Sequence, residues 1–483
     1  MSMTSFYTLL LPSPCRRLRF NISGIYAVPR IGLGYLSSFL KQNGFSKTRI
    51  WDLLAEGKWI PDLVKDFENH GVPDLVGIGA TLLSLREAFE MADALKSRYP
   101  QLKTVIGGPG VSFPADTLFH YGRKVDFFIR GEGEKAFLEL VRGLASKSQD
   151  FSAIPRLLWK NKKNEIMENP DGEFRDLNDG ISSDYESLPM QTYRLHPPMG
   201  VFPPATMVET ARGCPYDCSF CCITRKSRFK DPVWVEEELK KLQKIYGIRE
   251  VHFIDPTFTL DSERAKEICE RIRPLGLKWS CKTRVDLVPR DLLECMAASG
   301  CYLISFGVET SQNVFLDVLH KKATVNHTLE AFKNCKELKI RTAAYLMIGC
   351  PGETEESVSD NIRFVRTLDP DYVLYDVLQA DPANALTREY MNKGRFSEAD
   401  LSRYYLSDED NYFLHYSLTG EPLEKVNQWL KRASRAFYLR PSYVLKKMRD
   451  IRSFHDILNL FHGALFLFRD FFGLNKLWDQ IRK

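Results

Sequence analysis

The stretch "ARGCPYDCSFCC", residues 211–222, decides how the rest of this chain is interpreted. Four of the eleven cysteines lie in its last nine positions, and Cys214, Cys218 and Cys221 have the spacing Cys-x3-Cys-x2-Cys. Cysteines clustered in this way form disulfides, bind zinc or bind an iron–sulfur cluster. Each of these three sites indicates a different class of protein, so the surrounding sequence has to distinguish them.

Length and composition narrow the class of protein. A chain of 483 residues with 44% hydrophobic and 27% charged residues is typical of a soluble globular protein with two to four domains. A net charge of +5 is too small to indicate a nucleic-acid partner. No basic segment precedes the first apolar run, and no window has the roughly 18 apolar residues that a spanning helix needs. We expect a cytoplasmic protein, and that reducing compartment argues against disulfides.

The first 150 residues alternate short apolar runs with helical stretches, and they are predicted to form one domain. Helices are predicted at "IGLGYLSSFLKQNG" and "LREAFEMADALKSRYP". Continuous apolar strands alternating with helices predict an α/β fold with a parallel, doubly wound (Rossmann-like) sheet. Glycines follow two of the strands, at the edge where such sheets bind ligands. The predicted strands are "TSFYTLLLP", "KTRIWDLL", "DLVGIGATL", "KTVIGGPGV" and "VDFFIRGEGE".

Residues 151–200 are rich in turn residues and are predicted to be a linker with one hairpin. A second strand–helix series follows and is predicted to form a partial (β/α)6 barrel over residues 201–395. Residues 396–483 are predicted to be a helical domain. The six predicted barrel strands are 205–210, 250–255, 278–284, 302–309, 341–349 and 371–378.

The cysteine spacing favours an iron–sulfur cluster over zinc. Structural zinc sites usually combine two separated Cys-x2-Cys pairs, and the sequence has no second pair. Cys221 and Cys222 are adjacent, so their side chains would have difficulty reaching one ion together; we expect Cys222 to be a packing residue. Three cysteines suit three irons of a 4Fe-4S cube and leave the fourth iron open. The loop also follows the first barrel strand, at the face where barrel enzymes place their chemistry.

The cluster motif, with Phe220 before its last cysteine, resembles the radical S-adenosylmethionine (radical SAM) superfamily. Similar motifs follow at the next strands: "VHFIDPTFTLD", "KTRVDLV", "FGVET" and "MIGCPGETEES". The N-terminal domain resembles the cobalamin-binding domain that precedes the barrel in one branch of that family. This second resemblance depends on "VPRIGLGYLSSFL", "VIGGPGVSFP" and "VDFFIRGEGE". Together the two resemblances cover most of the chain.

The resemblance implies a 4Fe-4S cluster held by the three cysteines and S-adenosylmethionine bound to its open iron. Reduction then cleaves S-adenosylmethionine and releases a 5′-deoxyadenosyl radical. For Asp255 and Glu309, the alternative to cofactor contact is a salt bridge at the end of the barrel. Arg284 could equally form an ion pair with Asp286. By motif match, the contacts are Asp255, Pro256 and Thr257 at the methionine end, Ser305 and Glu309 at the ribose, and Phe220, Gly349 and Pro351 at the adenine.

The resemblance also implies bound cobalamin. The motif Asp-x-His-x-x-Gly, whose histidine ligates cobalt in many cobalamin domains, is absent, and "WDLLAEG" follows the second strand instead. We therefore expect no histidine ligand on cobalt. Glycines permit close approach of the backbone to a large ligand, although tight turns alone would also explain them. The implied contacts are Gly107, Gly108, Gly131, Glu132 and Gly133.

In function, the resemblance implies a methyltransferase acting on an unactivated carbon through the deoxyadenosyl radical and methylcobalamin. The aromatic content (20 Tyr, 31 Phe and 7 Trp) and the apolar, basic C-terminus fit a large hydrophobic or anionic substrate. Such a substrate is a tetrapyrrole, for example a bacteriochlorophyll precursor, or a polyprenoid lipid. The alternatives are a ring-forming cyclase resembling the anaerobic Mg-protoporphyrin monomethyl ester cyclase, and a non-enzymatic cobalamin- or iron–sulfur-binding protein or electron carrier. Methylthio transfer to tRNA is disfavoured, because the N-terminal domain contains only Cys15. An electron donor such as flavodoxin or ferredoxin is expected.

The C-terminal region is basic. Eight Lys or Arg lie between Lys431 and Arg452 against one acid, Asp450, and an apolar stretch follows at residues 457–474. We expect a helical cap whose apolar face packs on the main body. The alternative is peripheral contact with a membrane or with an apolar substrate.

Overall fold

The computed structural model describes residues 5–14, 28–407 and 418–449. Its first sheet has seven strands in the order β2-β1-β3-β4-β5-β6-β7, of which the first five are parallel and the last two antiparallel. This confirms the predicted doubly wound domain. Its strands are β1 (Thr8–Pro12), β2 (Thr48–Ile50), β3 (Leu75–Gly79), β4 (Lys103–Gly107), β5 (Phe127–Ile129), β6 (Leu157–Lys160) and β7 (Ile166–Glu168).

Helices cover both faces of this sheet. Leu10 of β1 belongs to one apolar core with Leu33 and Phe137, whereas its neighbour Leu9 belongs to a second core with Phe89. Because successive strand residues point to opposite faces, a continuous apolar strand serves both cores. The helices of this domain are α1 (Ile31–Gln42), α2 (Ile60–His70), α3 (Leu85–Arg98), α4 (Ala115–Tyr121) and α5 (Glu134–Ala145).

The predicted hairpin is present as β6 and β7, but it is part of the first sheet. β6 pairs antiparallel with β5, with Leu158 opposite Phe128. Leu157, Leu158 and Trp159 are buried, and this burial explains why the hairpin adds to the sheet. The sheet therefore extends beyond residue 150, into the segment predicted as a linker.

The second sheet contains the six predicted barrel strands, all parallel, in the order β15-β14-β13-β12-β11-β8. The two edge strands, β8 and β15, do not pair with each other, so the barrel is partly open as predicted. A separate antiparallel pair is formed by β9 (Ala211–Arg212) and β10 (Arg228–Phe229). The six strands are β8 (Ala205–Val208), β11 (Glu250–Phe253), β12 (Lys278–Arg284), β13 (Cys301–Glu309), β14 (Arg341–Ile348) and β15 (Tyr372–Val377).

Helices pack against the outer face of the second sheet. Trp279 and Cys281 of β12 are buried in the same core as Ile268 and Leu292, which lie on two of these helices. The helices that follow β10 are α6 (Pro232–Tyr246), α7 (Ser262–Ile272), α8 (Arg290–Ala298), α9 (Asn313–Val318), α10 (Val325–Glu337), α11 (Glu355–Leu368), α12 (Ala385–Asn392), α13 (Glu398–Leu406), α14 (Leu423–Tyr438) and α15 (Pro441–Arg449).

The C-terminal helix α14 packs on the barrel. Its Val426 and Trp429 form an apolar cluster with Ile348, and Arg432 pairs with Glu355 at 2.7 Å. The expected helical cap is therefore confirmed for this helix. The apolar stretch at residues 457–474 lies outside the described residues. Within them, no helix is both long enough and apolar enough to span a membrane.

Candidate active site

The antiparallel pair β9–β10 closes the loop that contains the four clustered cysteines. Arg212 lies opposite Arg228 in this pair. Gly213 has a φ of +81°, and a Cβ at that position would lie 2.1 Å from the carbonyl oxygen of Lys226, so the close approach requires glycine. The Cys214 N–H donates to the carbonyl of Thr224 at 2.9 Å. The strand pair thus fixes both ends of the loop beside the first barrel strand.

The three predicted cluster cysteines are brought together by this loop. Cys218 is buried, and Cys214 and Cys221 are half-buried. The Cys221 N–H donates to the Cys218 carbonyl at 3.1 Å. Arg225 Nη2 donates to the carbonyls of Cys218 and Cys221, at 3.3 and 3.2 Å. Burial raises the pKa of Tyr216, and the nearby thiols of Cys214 and Cys218 act in the same direction. The three cysteines therefore lie in one loop that Arg225 holds by hydrogen bonds.

The donor set fits an iron–sulfur cube. Three thiols from a single loop can each bind a separate iron, leaving one iron for another ligand. Among the described residues, no three His, Cys, Asp or Glu side chains lie close enough to hold one metal ion. A cube does not require such a group, because each of its thiolates binds a different iron.

Cys222 is exposed, so the expectation that it is a packing residue is wrong. Consecutive side chains leave the backbone in different directions. Cys221 is half-buried in the loop, whereas Cys222 is exposed as a residue and its thiol interacts with Asp381.

Arg284, at the end of β12, forms the pair with Asp286 that the sequence left open. Its guanidinium donates to both carboxylate oxygens of Asp286, at 2.9 and 2.8 Å. It also lies 3.7 Å from Cys218 Sγ and stacks 3.7 Å from the Tyr216 ring centroid. Burial raises the pKa of the Cys218 thiol, whereas Lys321 and Arg284 oppose that effect. Arg284 is thus a buried cation beside a cluster ligand.

The loop after β11 contains Asp255, Pro256 and Thr257. Asp255 is fully buried and accepts hydrogen bonds from the backbone N–H groups of Thr210 (2.6 Å) and Ala211 (2.9 Å), and from the Thr210 hydroxyl. Its carboxylate thus ties β11 to the entry of the cluster loop. Thr257 Oγ1 lies 3.7 Å from Cys214 Sγ. Pro256, which precedes Thr257 in the sequence, is half-buried. Contact of these residues with S-adenosylmethionine stays a prediction.

Glu309 ends β13 with a φ of +66° at an irregularity of the strand. It is buried, and Lys321 Nζ pairs with its Oε1 at 2.5 Å. A Cβ at Gly307 would lie 2.5 Å from the same oxygen, so the Glu309 carboxylate folds back over Gly307. Ser305 lies two residues before Gly307 and points to the same face of the strand. The structure therefore places both predicted ribose residues on one face of β13.

The loop after β14 contains Gly349 and Pro351. The buried carboxylate of Glu353 accepts hydrogen bonds from the Gly349 N–H at 2.5 Å and from Asn361 Nδ2 at 3.1 Å. Burial raises the pKa of Glu353 to about 7. Asn361 Oδ1 in turn accepts from the Ser311 N–H at 2.6 Å, which links this loop to the end of β13.

Two further residues predicted at the adenine are half-buried: Pro351, in the turn after Gly349, and Phe220, in the cluster loop. Phe220 packs against the same apolar core that contains Cys350. The structure therefore places the cluster loop and the loop after β14 against one apolar core.

The glycines of the first sheet follow β4 and β5. Gly107 and Gly108 end β4, and Gly108 has a φ of +101°. A Cβ there would lie 2.6 Å from the carbonyl oxygen of Ala80, in the loop after β3. Close backbone packing between neighbouring loops therefore explains Gly108 without a ligand. Gly131 and Gly133 follow β5, with Gly133 at the start of α5.

Glu132, between these two glycines, binds two arginines of the cluster loop. Its carboxylate pairs with Arg212 at 3.0 Å and with Arg228. Arg212 also pairs with Glu134 and with Glu209, each at 2.7 Å. The nearby carboxylates raise the pKa of Arg212 against the effect of burial. The edge of the first sheet and the base of the cluster loop are therefore joined directly.

Comparisons with known proteins agree with this arrangement. The model of the radical SAM superfamily matches residues 208–365, and that of the B12 binding domain matches residues 24–141. An uncharacterized methyltransferase of Pyrococcus horikoshii is 30% identical over 88% of this chain and 91% of its own length. The chain belongs to the radical SAM superfamily, in its cobalamin-binding branch. It is therefore a radical SAM enzyme, and the three cofactors expected from its sequence are those of this branch.

Two more known proteins are similar to it. The anaerobic magnesium-protoporphyrin IX monomethyl ester cyclase of Rubrivivax gelatinosus is 26% identical over 76% of this chain and 67% of its own length. The structure of the radical SAM methyltransferase TsrM from Kitasatospora setae, with cobalamin and a [4Fe-4S] cluster bound, aligns with a TM-score of 0.67. It is 18% identical over 80% of this chain and 78% of the TsrM chain, so this similarity establishes the fold.

Several residues at this radical SAM site were not predicted from the sequence. Lys321 and Asn361 lie outside the quoted motifs, and only the fold brings them to the site; Glu353 lies within "MIGCPGETEES", but no role was predicted for it. Arg212 and Arg228 flank the cysteines, so their proximity to the cluster could have been foreseen. Their pairing with Glu132, at least 80 residues away in sequence, could not.

Proposed function

We propose that the protein is a methyltransferase that adds a methyl group to an unactivated carbon of a large hydrophobic substrate, a tetrapyrrole or a polyprenoid lipid. The observation that carries the proposal is the 30% identity to a methyltransferase across 88% of the chain. A cyclase of a magnesium porphyrin ester is 26% identical, which favours a tetrapyrrole among large substrates.

In this proposal each cofactor has a defined set of residues. Cys214, Cys218 and Cys221 hold the cluster. The loops after β11, β13 and β14 hold S-adenosylmethionine. Thr257, Ser305 and Glu309 offer it hydroxyl and carboxylate groups. Phe220 and the loop of Gly349 and Pro351 lie beside the adenine. The loops after β4 and β5 hold cobalamin. When bound, these groups supply a radical that removes hydrogen from an inert carbon and a methyl group that replaces it.

The protein contributes orientation and exclusion of water. Glu132 and Arg212 connect the proposed cobalamin loops to the cluster loop at 3.0 Å, which limits relative movement of the two cofactor sites. Helix α13 packs on the first domain: Tyr405 lies 6.2 Å from Phe113 between ring centroids, and Glu398 accepts a hydrogen bond from Thr117 at 2.5 Å. Fixed positions of the two cofactor sites matter because a radical reacts with any suitable group within reach.

Ring formation is the alternative reaction, favoured by the identity to the cyclase. The two reactions change the mass of the substrate in opposite directions. Methylation adds one carbon and two hydrogens to a metabolite, whereas cyclisation by bond formation removes two hydrogens. Mass spectrometry of extracts from cells with and without the protein therefore distinguishes them.

The activity is tested with purified protein reconstituted anaerobically with iron, sulfide and hydroxocobalamin, and reduced chemically or by flavodoxin. We expect S-adenosylmethionine to be converted to both 5′-deoxyadenosine and S-adenosylhomocysteine in the presence of the substrate. Cys218→Ala is expected to abolish 5′-deoxyadenosine formation. Formation of 5′-deoxyadenosine without S-adenosylhomocysteine would reject methylation, and full activity of Cys218→Ala would reject the cluster assignment.

A further inference from the structure

The inner face of the second sheet differs in chemistry from its outer face. In β12, Trp279 and Cys281 point outward into the apolar core, so the alternating residues Ser280 and Lys282 point inward. In β15, Val373 packs outward in the same core, so Leu374 and Asp376 point inward with Tyr372. The helices thus cover an apolar surface, while the concave side of the sheet carries charged residues, of which Lys282 and Asp376 form no ion pair with a described residue.

Among the described residues, Lys282 has no ion-pair partner on this face, because the carboxylate of Glu309 is paired with Lys321 and that of Glu250 accepts a hydrogen bond from Tyr302. It is half-buried, and it forms no ion pair or side-chain hydrogen bond with any described residue. Burial lowers the pKa of its ammonium group. Its neighbour His252 hydrogen-bonds to Ser280 Oγ at 2.8 Å. Burial and the charge of Lys282 lower the pKa of His252 to about 3, so this imidazole is neutral and leaves the ammonium group unpaired.

Asp376 is an acidic residue on the same inner face of the sheet. Solvent reaches it, and none of the described residues forms an ion pair or a hydrogen bond with its carboxylate. Desolvation by the surrounding protein nevertheless raises the pKa of the Asp376 carboxyl. Three strand spacings separate β12 from β15, or about 14 Å measured across the sheet. Lys282 and Asp376 therefore do not neutralise each other.

The surface between these charges is polar beside Lys282, where Ser305 of β13 is its register partner, and it is apolar or aromatic farther across the sheet, on β14 and β15. Tyr345 of β14 and Leu374 of β15 are paired in register, and both are half-buried on the inner face. Met347 lies opposite Asp376 in the same pair of strands. A ligand on this face would contact apolar side chains on β14 and β15, an ammonium group on one side and a carboxylate on the other.

We propose that the inner face of the second sheet binds the substrate, an apolar or aromatic acid whose anionic group pairs with Lys282. Asp376 repels that anion and so orients the acid across the sheet. Neither residue belongs to the predicted cluster, S-adenosylmethionine or cobalamin sets. The inference rests on the proposed function and narrows its substrate class: a molecule with a carboxylate, sulfonate or phosphate fits this face, and a neutral hydrocarbon does not.

The test measures binding of two fluorescent probes of similar size to the reconstituted protein. Anilinonaphthalene sulfonate is an apolar anion, and phenylnaphthylamine is its neutral counterpart. We expect Lys282→Ala to weaken binding of the sulfonate roughly tenfold, as loss of a partly buried charge pair should, and to leave binding of the neutral probe unchanged. Lys282→Arg should retain most of the affinity, and Asp376→Asn should raise it two- to threefold, roughly the effect of removing one nearby like charge.

Lys278→Ala is the matched control, since Lys278 lies on the same strand but is exposed; it should leave both affinities unchanged. Thermal melting and the iron and cobalamin contents of each variant show whether it folds. Failure of the wild type to bind the sulfonate, an unchanged affinity in Lys282→Ala or an equal loss of both probes would overturn the proposal. Conversion of S-adenosylmethionine is measured separately, so failure of methyl transfer is recognised independently of the probe result.

Discussion

The carboxylate of Glu132 lies 3.0 Å from Arg212 Nη1 and also pairs with Arg228. These contacts connect the loop after β5 of the first sheet to the two strands that hold the cluster loop. Both arginines and the carboxylate are mostly buried, with 12 to 18% of each side chain exposed. Screening by solvent is therefore weaker than for a surface pair.

Glu132→Gln should lower the free energy of unfolding by about 2 kcal/mol, because it leaves Arg228 buried without its partner. Urea denaturation of the reconstituted protein measures this change. The control is Glu168→Gln: Glu168 pairs with Arg130, but half of its side chain is exposed, so the expected cost is below about 0.5 kcal/mol. Equal costs in the two variants would contradict a structural role for the interdomain pair.

Cys222→Ala should keep the full iron content of the wild type, whereas Cys218→Ala should lose most of it. Cys218 is buried in the loop, and Cys222 is exposed next to Cys221. Each cluster thiolate binds its own iron, so removal of a ligand cannot be compensated by the Cys222 thiol, which interacts with Asp381 instead. Iron analysis and the visible absorbance of the anaerobically reconstituted variants measure the difference. Loss of iron in Cys222→Ala would mean that the fourth cysteine is a ligand.

The fold could be predicted from the sequence because its strands are short, apolar and separated by helical stretches. Helix α2 was not predicted, although Pro61 at its first turn and its amphipathic pattern are helix signals. The hairpin was predicted, but its membership in the first sheet depends on burial of Trp159. Pairing of distant strands is a property of the tertiary structure and has no local pattern.

The candidate site was predictable where its residues are close in sequence. The three cysteines lie within eight positions, and their spacing, with the strand that precedes them, indicates the cluster. The pair of Glu309 and Lys321 spans a helix, and nothing in the local pattern of residues 313–322 distinguishes Lys321 from Lys322. Only the structure shows that Lys321 is buried at 7% side-chain exposure, whereas Lys322 is exposed at 64%.

Lys321→Met should lower the free energy of unfolding by about 3 kcal/mol, because it leaves the buried Glu309 carboxylate without its counter-charge. Lys322→Met is the matched control, since its pair with Asp217 is exposed on both sides and should contribute less than about 1 kcal/mol. Chemical denaturation of both variants measures the two costs. If Lys322→Met costs as much as Lys321→Met, the pair with Glu309 is not what stabilises this loop.

Glu353→Gln should reduce the dependence of stability on pH. Burial raises the pKa of the Glu353 carboxyl from 4.5 to about 7. Between these two pH values the unfolded chain releases the proton and the folded chain keeps it. The contribution of this carboxyl to the free energy of unfolding is therefore complete below about pH 4.5 and is lost as the pH rises towards 7. That shift corresponds to about 3 kcal/mol. Denaturation at about pH 5 and about pH 8 should show a smaller loss in Glu353→Gln than in the wild type. Identical losses would mean that Glu353 is ionised throughout, held by the N–H of Gly349 and by Asn361.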